Sequence, residues 1–280
     1  MQEFDGKSVF HVSVFSGDFD GKIFAGTEAL IFLEDEALST KDMQDVAKRK
    51  DIPATCFVWP SEQDNTFNIR FFNPEQEIQV CGHGLLAAAK VLVEKNGADS
   101  KLSESNPIQF ITQSSHINTK IDAEHRLWIG FDAIDSEPAE IPVWAEDCCN
   151  IAPVKASKVG PSNGYWIFEW PEDFDLKELA IDYNKLTFAT ERALIATTRS
   201  QSGGFDYDLR YFAPQHGVNE DKATGSANRV LGSYWKNRLN QSTLKARQLS
   251  AEGAVVEVEC ENYAGGVDRV WVSGKVIINA

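Results

Sequence analysis

Short apolar and alternating runs dominate this chain, and only a few segments carry the three-to-four-residue spacing of an amphipathic helix. Residues 9–15 alternate and are rich in β-branched and aromatic types, and residues 29–33 form a second apolar run; both are predicted strands. Ser39 or Thr40 can cap a helix that carries Met43, Val46 and Ala47 on one face. Strands at 55–59 and 66–72 come next. A helix follows with Leu85, Ala89 and Leu92 on its buried stripe and Gly97 beyond its end. Runs at 107–112 and 117–121 close this half, and Ala123-Glu124-His125 reads as a turn.

The second half opens with a strand at 127–131 and a short proline-flanked segment at 143–147. Strands at 154–158 and 165–170 precede an acidic, proline-containing stretch at 171–175 that leads into a helix near Leu176. Strands are predicted again at 193–197 and 207–212. A helix then places Ala227, Val230, Leu231 and Tyr234 at helical spacing, and three strand-like runs (244–249, 255–259, 267–278) finish the chain. Helices and strands do not alternate regularly, and no Gly-x-Gly-x-x-Gly follows the first strand. A Rossmann domain is therefore not expected.

Two of these segments spell nearly the same thing. Arg70-Phe71-Phe72-Asn73-Pro74 leads to Cys81-Gly82-His83-Gly84 and an alanine-rich helix; Arg210-Tyr211-Phe212-Ala213-Pro214 leads to Thr224-Gly225-Ser226-Ala227 and another. A strand, a turn and a glycine-opened helix occur twice, which predicts two similar half-domains facing a cleft. Each half would point a helix N-terminus, with its unpaired N–H groups, at the same place, and such a place suits an anion. The domain expectation is residues 1–120, with 267–280 returning to them, and residues 121–266.

Composition narrows the function. Over 280 residues the formal net charge is −15, which argues against a nucleic-acid partner, since phosphate binding needs clustered Lys and Arg. The start of the chain has neither a basic region nor an apolar core, and the longest apolar stretch, 85–93, is too short to span a bilayer; a cytoplasmic protein without a membrane partner is the expectation. The five cysteines contain no Cys-x-x-Cys pair and read as reduced thiols, and the histidines show no metal-ligand spacing, so no metal site is expected.

The candidate chemistry sits in the repeat. Gly82 and Gly84 let backbone N–H groups approach a ligand, and His83 meets the positive end of its helix, which favours the neutral ring. Cys81 reads either as a small buried hydrophobe or as a thiol activated by the helix start. In the second copy, Asp221 is a candidate acid/base or substrate-orienting carboxylate beside the hydroxyls of Thr224 and Ser226, with Gly225 and Ala227 in the binding turn. Glu220 and Asp221 could also be no more than favourable charges before a helix.

Phe72-x-Pro74, Cys81-Gly82-His83 and Glu220-Asp221-x-Ala223-Thr224-Gly225-Ser226-Ala227 together resemble the PhzF-like family, named for the phenazine-biosynthesis isomerase. The resemblance implies an α+β diaminopimelate epimerase fold: two pseudo-symmetric lobes, each a curved, mostly antiparallel sheet around a central helix. It implies no metal, no organic cofactor and a possible homodimer. It also implies proton transfer on a small-molecule carboxylate in the cleft between lobes, with His83, Asp221 and Ser226 as the catalytic group. One departure bears on mechanism. The family's shuttling glutamate lies in a segment like Asn-x-Ser-Glu-Thr-x-Phe, and here Asp51-Ile52-Pro53-Ala54-Thr55-Cys56-Phe57 puts Ala54 at its place. Gly26-Thr27-Glu28-Ala29 likewise replaces the usual Gly-Asn-Pro-Ala. Two functions follow as expectations: an isomerase or epimerase whose base is Asp221 or Cys81, or a catalytically silent relative that binds a small anionic metabolite. Thr224 stands where a second cysteine would be needed, which disfavours a two-thiol racemase.

Overall fold

The computed structural model describes residues 2–4, 7–96, 107–262 and 268–279. Gly97 and Val267, both named above, lie outside them. The chain divides into two units, residues 1–131 with 271–280, and residues 132–270.

The first unit contains β1 (Gln2–Phe4), β2 (Lys7–Phe19), β3 (Lys22–Phe24), β4 (Thr27–Leu33), α1 (Thr40–Lys50), β5 (Ala54–Pro60), β6 (Thr66–Phe72), β7 (Glu77–Ile78), α2 (Gly82–Asn96), β8 (Gln109–Ile111), β9 (His116–Ile121) and β10 (Leu127–Asp132). The second continues with β11 (Ser136–Ala139), α3 (Trp144–Cys148), β12 (Lys155–Val159), β13 (Tyr165–Glu169), α4 (Tyr183–Ala189), β14 (Ala193–Arg199), β15 (Tyr207–Phe212), α5 (Gly225–Leu239), β16 (Thr243–Gln248) and β17 (Ala254–Asn262). Strands β18 (Asp268–Ser273) and β19 (Lys275–Ile278) end the chain.

Strand pairing states the duplication outright. In the first unit β2 pairs antiparallel with β4, β4 parallel with β5, β5 antiparallel with β6, β6 parallel with β8 and β8 antiparallel with β9. In the second, β12, β13, β14, β15, β16 and β17 follow the same order of antiparallel, parallel, antiparallel, parallel, antiparallel. The parallel pairs need crossovers, and each unit fills them with helices, α1 and α2 or α4 and α5. Each unit is thus a mostly antiparallel sheet with a long helix, α2 or α5, against one face: an α+β architecture of the diaminopimelate epimerase type.

The two faces of each sheet bury different cores. In the first unit, Val9, Leu30, Phe32, Phe57 and Phe72 pack with Met43 and Ala47 of α1, while Cys56 and Phe71 lie against Gly84 of α2. In the second, Trp166, Phe168, Leu194, Ala196 and Phe212 share a cluster with Ala145 and Cys148 of α3 and Leu186 of α4. Helix α1 starts where expected: the Ser39 hydroxyl accepts the Asp42 N–H at 3.1 Å.

The repeated arginines make the same contacts in both units. Arg70 forks onto Glu77 through two bonds of 2.5–2.6 Å and lies over the Phe72 ring at 5.2 Å. Arg210 does the same to Glu220 at 2.7–2.8 Å and to Phe212 at 4.9 Å. Each fork ties the end of a strand to the loop that feeds its helix. Glu220 is therefore an ion-pair partner, not a free charge before α5.

Several element expectations need correction. The helix expected near Leu176 is a single 3₁₀ turn, Leu176–Glu178, and the helix proper is α4, capped by Asp182. Only Leu186 of α4 is buried, so the segment had no apolar stripe to announce it. The segment at 143–147 becomes a short helix, α3, preceded by Val143 at its N-cap, and strand β11 had no pattern of its own. The run ending at 278 is two strands; β19 pairs antiparallel with β2, inside the first unit. Strand β10 pairs with β9, also in the first unit.

Candidate functional site

Helix α2 runs antiparallel to β6, so its start lies at the sheet end where β4 and β5 begin. That places Cys81, Gly82, His83 and Gly84 beside Ala29, Ala54 and Cys56. A Cβ on Gly84 would sit 2.8 Å from Cys56 Sγ, 3.0 Å from Phe71 Cδ1 and 3.2 Å from Cys81 Sγ, so glycine is what allows the helix to settle so close. His83 is 8% exposed, and burial lowers its pKa to about 4. Its ring nitrogens lie 3.5 Å from Cys81 Sγ. A neutral imidazole at a helix N-terminus follows, as the dipole argument requires.

Ala54 is fully buried and opens β5, side by side with Ala29. Strand alternation puts it on the same sheet face as Cys56, the face that α2 covers. A methyl group stands there, and it can neither give nor take a proton. Close by, Phe15 is fully buried at φ +63°, and the Gly26 position would drive a Cβ to 2.1 Å from Val14 O. The loop that replaces the usual Gly-Asn-Pro-Ala is thus tightly seated. The Thr27 hydroxyl beyond it is buried without a hydrogen-bond partner.

The second unit holds the other half of the predicted group. Asp221 keeps only partial exposure, and burial pushes its carboxyl up to about 6. Hydrogen bonds from the Ala223 and Lys222 N–H groups and the Thr224 hydroxyl pull the other way, and the Glu220 charge adds to the rise. Desolvation wins because three donors do not replace a full hydration shell. The Thr224 and Ser226 hydroxyls are 3.0 Å apart. Thr224 stands at the N-cap of α5 without capping it through its side chain, so its hydroxyl serves Asp221 and Ser226 instead.

A frame of buried amides holds this turn. Gln248 accepts the Thr224 N–H at 2.9 Å and donates to the Asp221 carbonyl at 2.6 Å. Asn228 donates to the Thr224 carbonyl at 2.7 Å and accepts the Tyr207 hydroxyl at 2.8 Å. Sequence reasoning missed both. Asn228 was visible one helical turn after Thr224; Gln248, at the end of a distant strand, carried no signal.

The structure brings Cys81, Gly82, His83, Gly84 and Ala54 together in one unit, and Asp221, Thr224, Gly225, Ser226 and Ala227 together in the other. Cys81 and Gly225 are both buried. Among the described residues, no group of three or more His, Cys, Asp or Glu could hold a metal ion, and no helix is long and apolar enough to cross a membrane.

Comparison with known proteins bears on this geometry. A family model described as Phenazine biosynthesis-like protein matches residues 17–137 and 144–280. An uncharacterized isomerase of Halalkalibacterium halodurans is 29% identical over 259 residues, covering 92% of each chain. A phenazine biosynthesis-like domain-containing protein of Bos taurus is 29% identical, covering 86% of this chain and 88% of its own. The crystal structure of a PhzF-family protein from Enterococcus faecalis superposes with a TM-score of 0.81 at 25% identity, covering 97% of this chain and 96% of the other. A hydroxyproline epimerase from Agrobacterium vitis, at 8% identity and a TM-score of 0.57, shares the fold.

Proposed function

The chain belongs to the PhzF-like, phenazine biosynthesis-like family, and from that premise we propose that it is a cofactor-independent isomerase moving a proton within a small carboxylate. The observation that carries the reading is Asp221. Its carboxyl is raised to about 6, so near neutral pH it is ionised yet basic enough to accept a proton from carbon. In the second unit, the backbone N–H groups that open α5, at Gly225, Ser226 and Ala227, hold the substrate carboxylate and stabilise the enolate-like charge. The Ser226 hydroxyl supplies a further hydrogen bond. Proton transfer to and from Asp221 needs no redox partner.

Ala54 favours a second reading, a silent relative that binds a small anionic metabolite. The two readings part on one measurement, solvent deuterium incorporation into a panel of small amino, hydroxy and unsaturated carboxylic acids. An isomerase exchanges deuterium into at least one, and Asp221→Asn abolishes it. Binding without exchange in the wild type, with exchange gained in Ala54→Glu, would instead support the silent relative.

A further inference from the structure

The duplication makes each unit a control for the other. At the start of α2, the helix-facing side of the sheet carries Ala29 and Ala54 side by side, with Cys56 paired to Phe71. At the start of α5 the matching positions are Tyr165 beside Ala193, with Ile195 paired to Tyr211. Two hydrocarbon positions in one unit are phenols in the other.

Both phenols face α5. Tyr211 alternates with Arg210 and Phe212, which point the other way, Arg210 to the Leu176 and Leu179 carbonyls and Phe212 into the α3–α4 cluster. Thr197, on the same strand face as Ala193 and Ile195, accepts the indole N–H of Trp235 in α5. The Tyr165 and Tyr211 rings are 6.4 Å apart at 58°, which fixes the Tyr211 ring. The Asp221 N–H donates to the Tyr211 carbonyl at 3.0 Å, and the Asp221 charge lies close enough to the Tyr211 phenol to raise its pKa. Neither phenol hydroxyl has a hydrogen-bond partner among the described residues, and both tyrosines keep partial exposure.

We propose that Tyr211 is a further catalytic residue of the second half-site, donating a hydrogen bond to the substrate oxygen that becomes negative when Asp221 removes a proton from the adjacent carbon. This rests on the isomerase reading and deepens it. In the step, the C–H bond breaks and its electron pair forms the enolate double bond. The C=O π pair moves to the oxygen, and Asp221 becomes the neutral acid. Asp221 then returns the proton to a carbon of the delocalised system, and nothing is oxidised or consumed. Burial, Tyr165 and the Asp221 charge all oppose ionisation of Tyr211, so it stays a donor throughout. The substrate class narrows to small carboxylates whose acidic C–H lies next to a carbonyl or carboxyl oxygen.

Oxalate, a planar dianion resembling an enolate, is the probe, read by calorimetry on the full chain at pH 7.5. We expect wild type to bind it, Tyr211→Phe to weaken binding by about tenfold or more, the scale of a hydrogen bond to a charged group, and Asp221→Asn to tighten it by removing a repelling charge. The phenylalanine variant should keep the wild-type circular dichroism and melting temperature, since only a hydroxyl is lost. Unchanged oxalate affinity in Tyr211→Phe overturns the proposal. If Asp221→Asn still tightens binding in that case, the isomerase site stands and only the role of Tyr211 falls. No oxalate binding to wild type, or indifference to both substitutions, removes both.

Discussion

Replacing Asp221 with asparagine should stabilise the protein at neutral pH while destroying the proposed chemistry. The folded state holds this carboxyl at about 6 against an ordinary value of 3.8. Between those values the folded protein binds more protons at Asp221 than the unfolded chain does, so stability from this group falls as pH rises through the window and stays low above it. A shift of about 2 units corresponds to about 3 kcal/mol. Solvent at the partly exposed carboxyl screens some of that, which leaves about 1–3 kcal/mol for the variant to recover. Asparagine keeps one oxygen to accept the Ala223, Lys222 or Thr224 donors, so it loses little of the turn. The assay is urea unfolding of wild type and Asp221→Asn followed by tryptophan fluorescence at several pH values. The stability difference should be near zero at pH 3.5, grow up to pH 6 and level off above. A variant less stable than wild type at pH 8, or a difference independent of pH, would refute the argument that desolvation outweighs the hydrogen bonds.

Four other outcomes are expected. His83, lowered to about 4 by burial, should show no imidazole titration by NMR between pH 5.5 and 8. Gly84→Val should destabilise by about 1–3 kcal/mol or more in denaturant melts, because its side chain meets Cys56, Phe71 and Cys81 together. Glu220→Gln should cost about 2–4 kcal/mol of stability, since Arg210 and Glu220 are 12% and 19% exposed and the arginine would be left largely buried without its anion; Glu77→Gln should cost a similar amount in the other unit. Ala54→Glu should raise deuterium exchange on a bound carboxylate by about 10²-fold, with the side chain entering the face that α2 covers, and equal rates in both proteins would remove position 54 from the chemistry.

The chain alone determined the duplication, because Arg70 and Arg210 recur with the same aromatic, proline and glycine sequence. Strands such as Thr66–Phe72 and Tyr207–Phe212 were legible as short aromatic and apolar runs, with both of their faces largely covered. The resemblance also located His83, Asp221 and Ser226 as candidates. Helix α4 was not legible, since one buried leucine leaves no periodicity, and the family's missing acid could be noticed only as an alanine. Tertiary structure decided the electrostatics. Asp221 differs from Glu220 because the arginine fork takes the latter into an ion pair, whereas burial strips water from the former. Gln248 becomes part of the frame of the turn because strand β16 returns to it from more than twenty residues along the chain, where it joins Asn228, one helical turn from Thr224. Tyr211 gained its meaning in the same way: a phenol in a strand is unremarkable until register sets it beside Tyr165, faces it toward α5 and seats Asp221 on its own carbonyl.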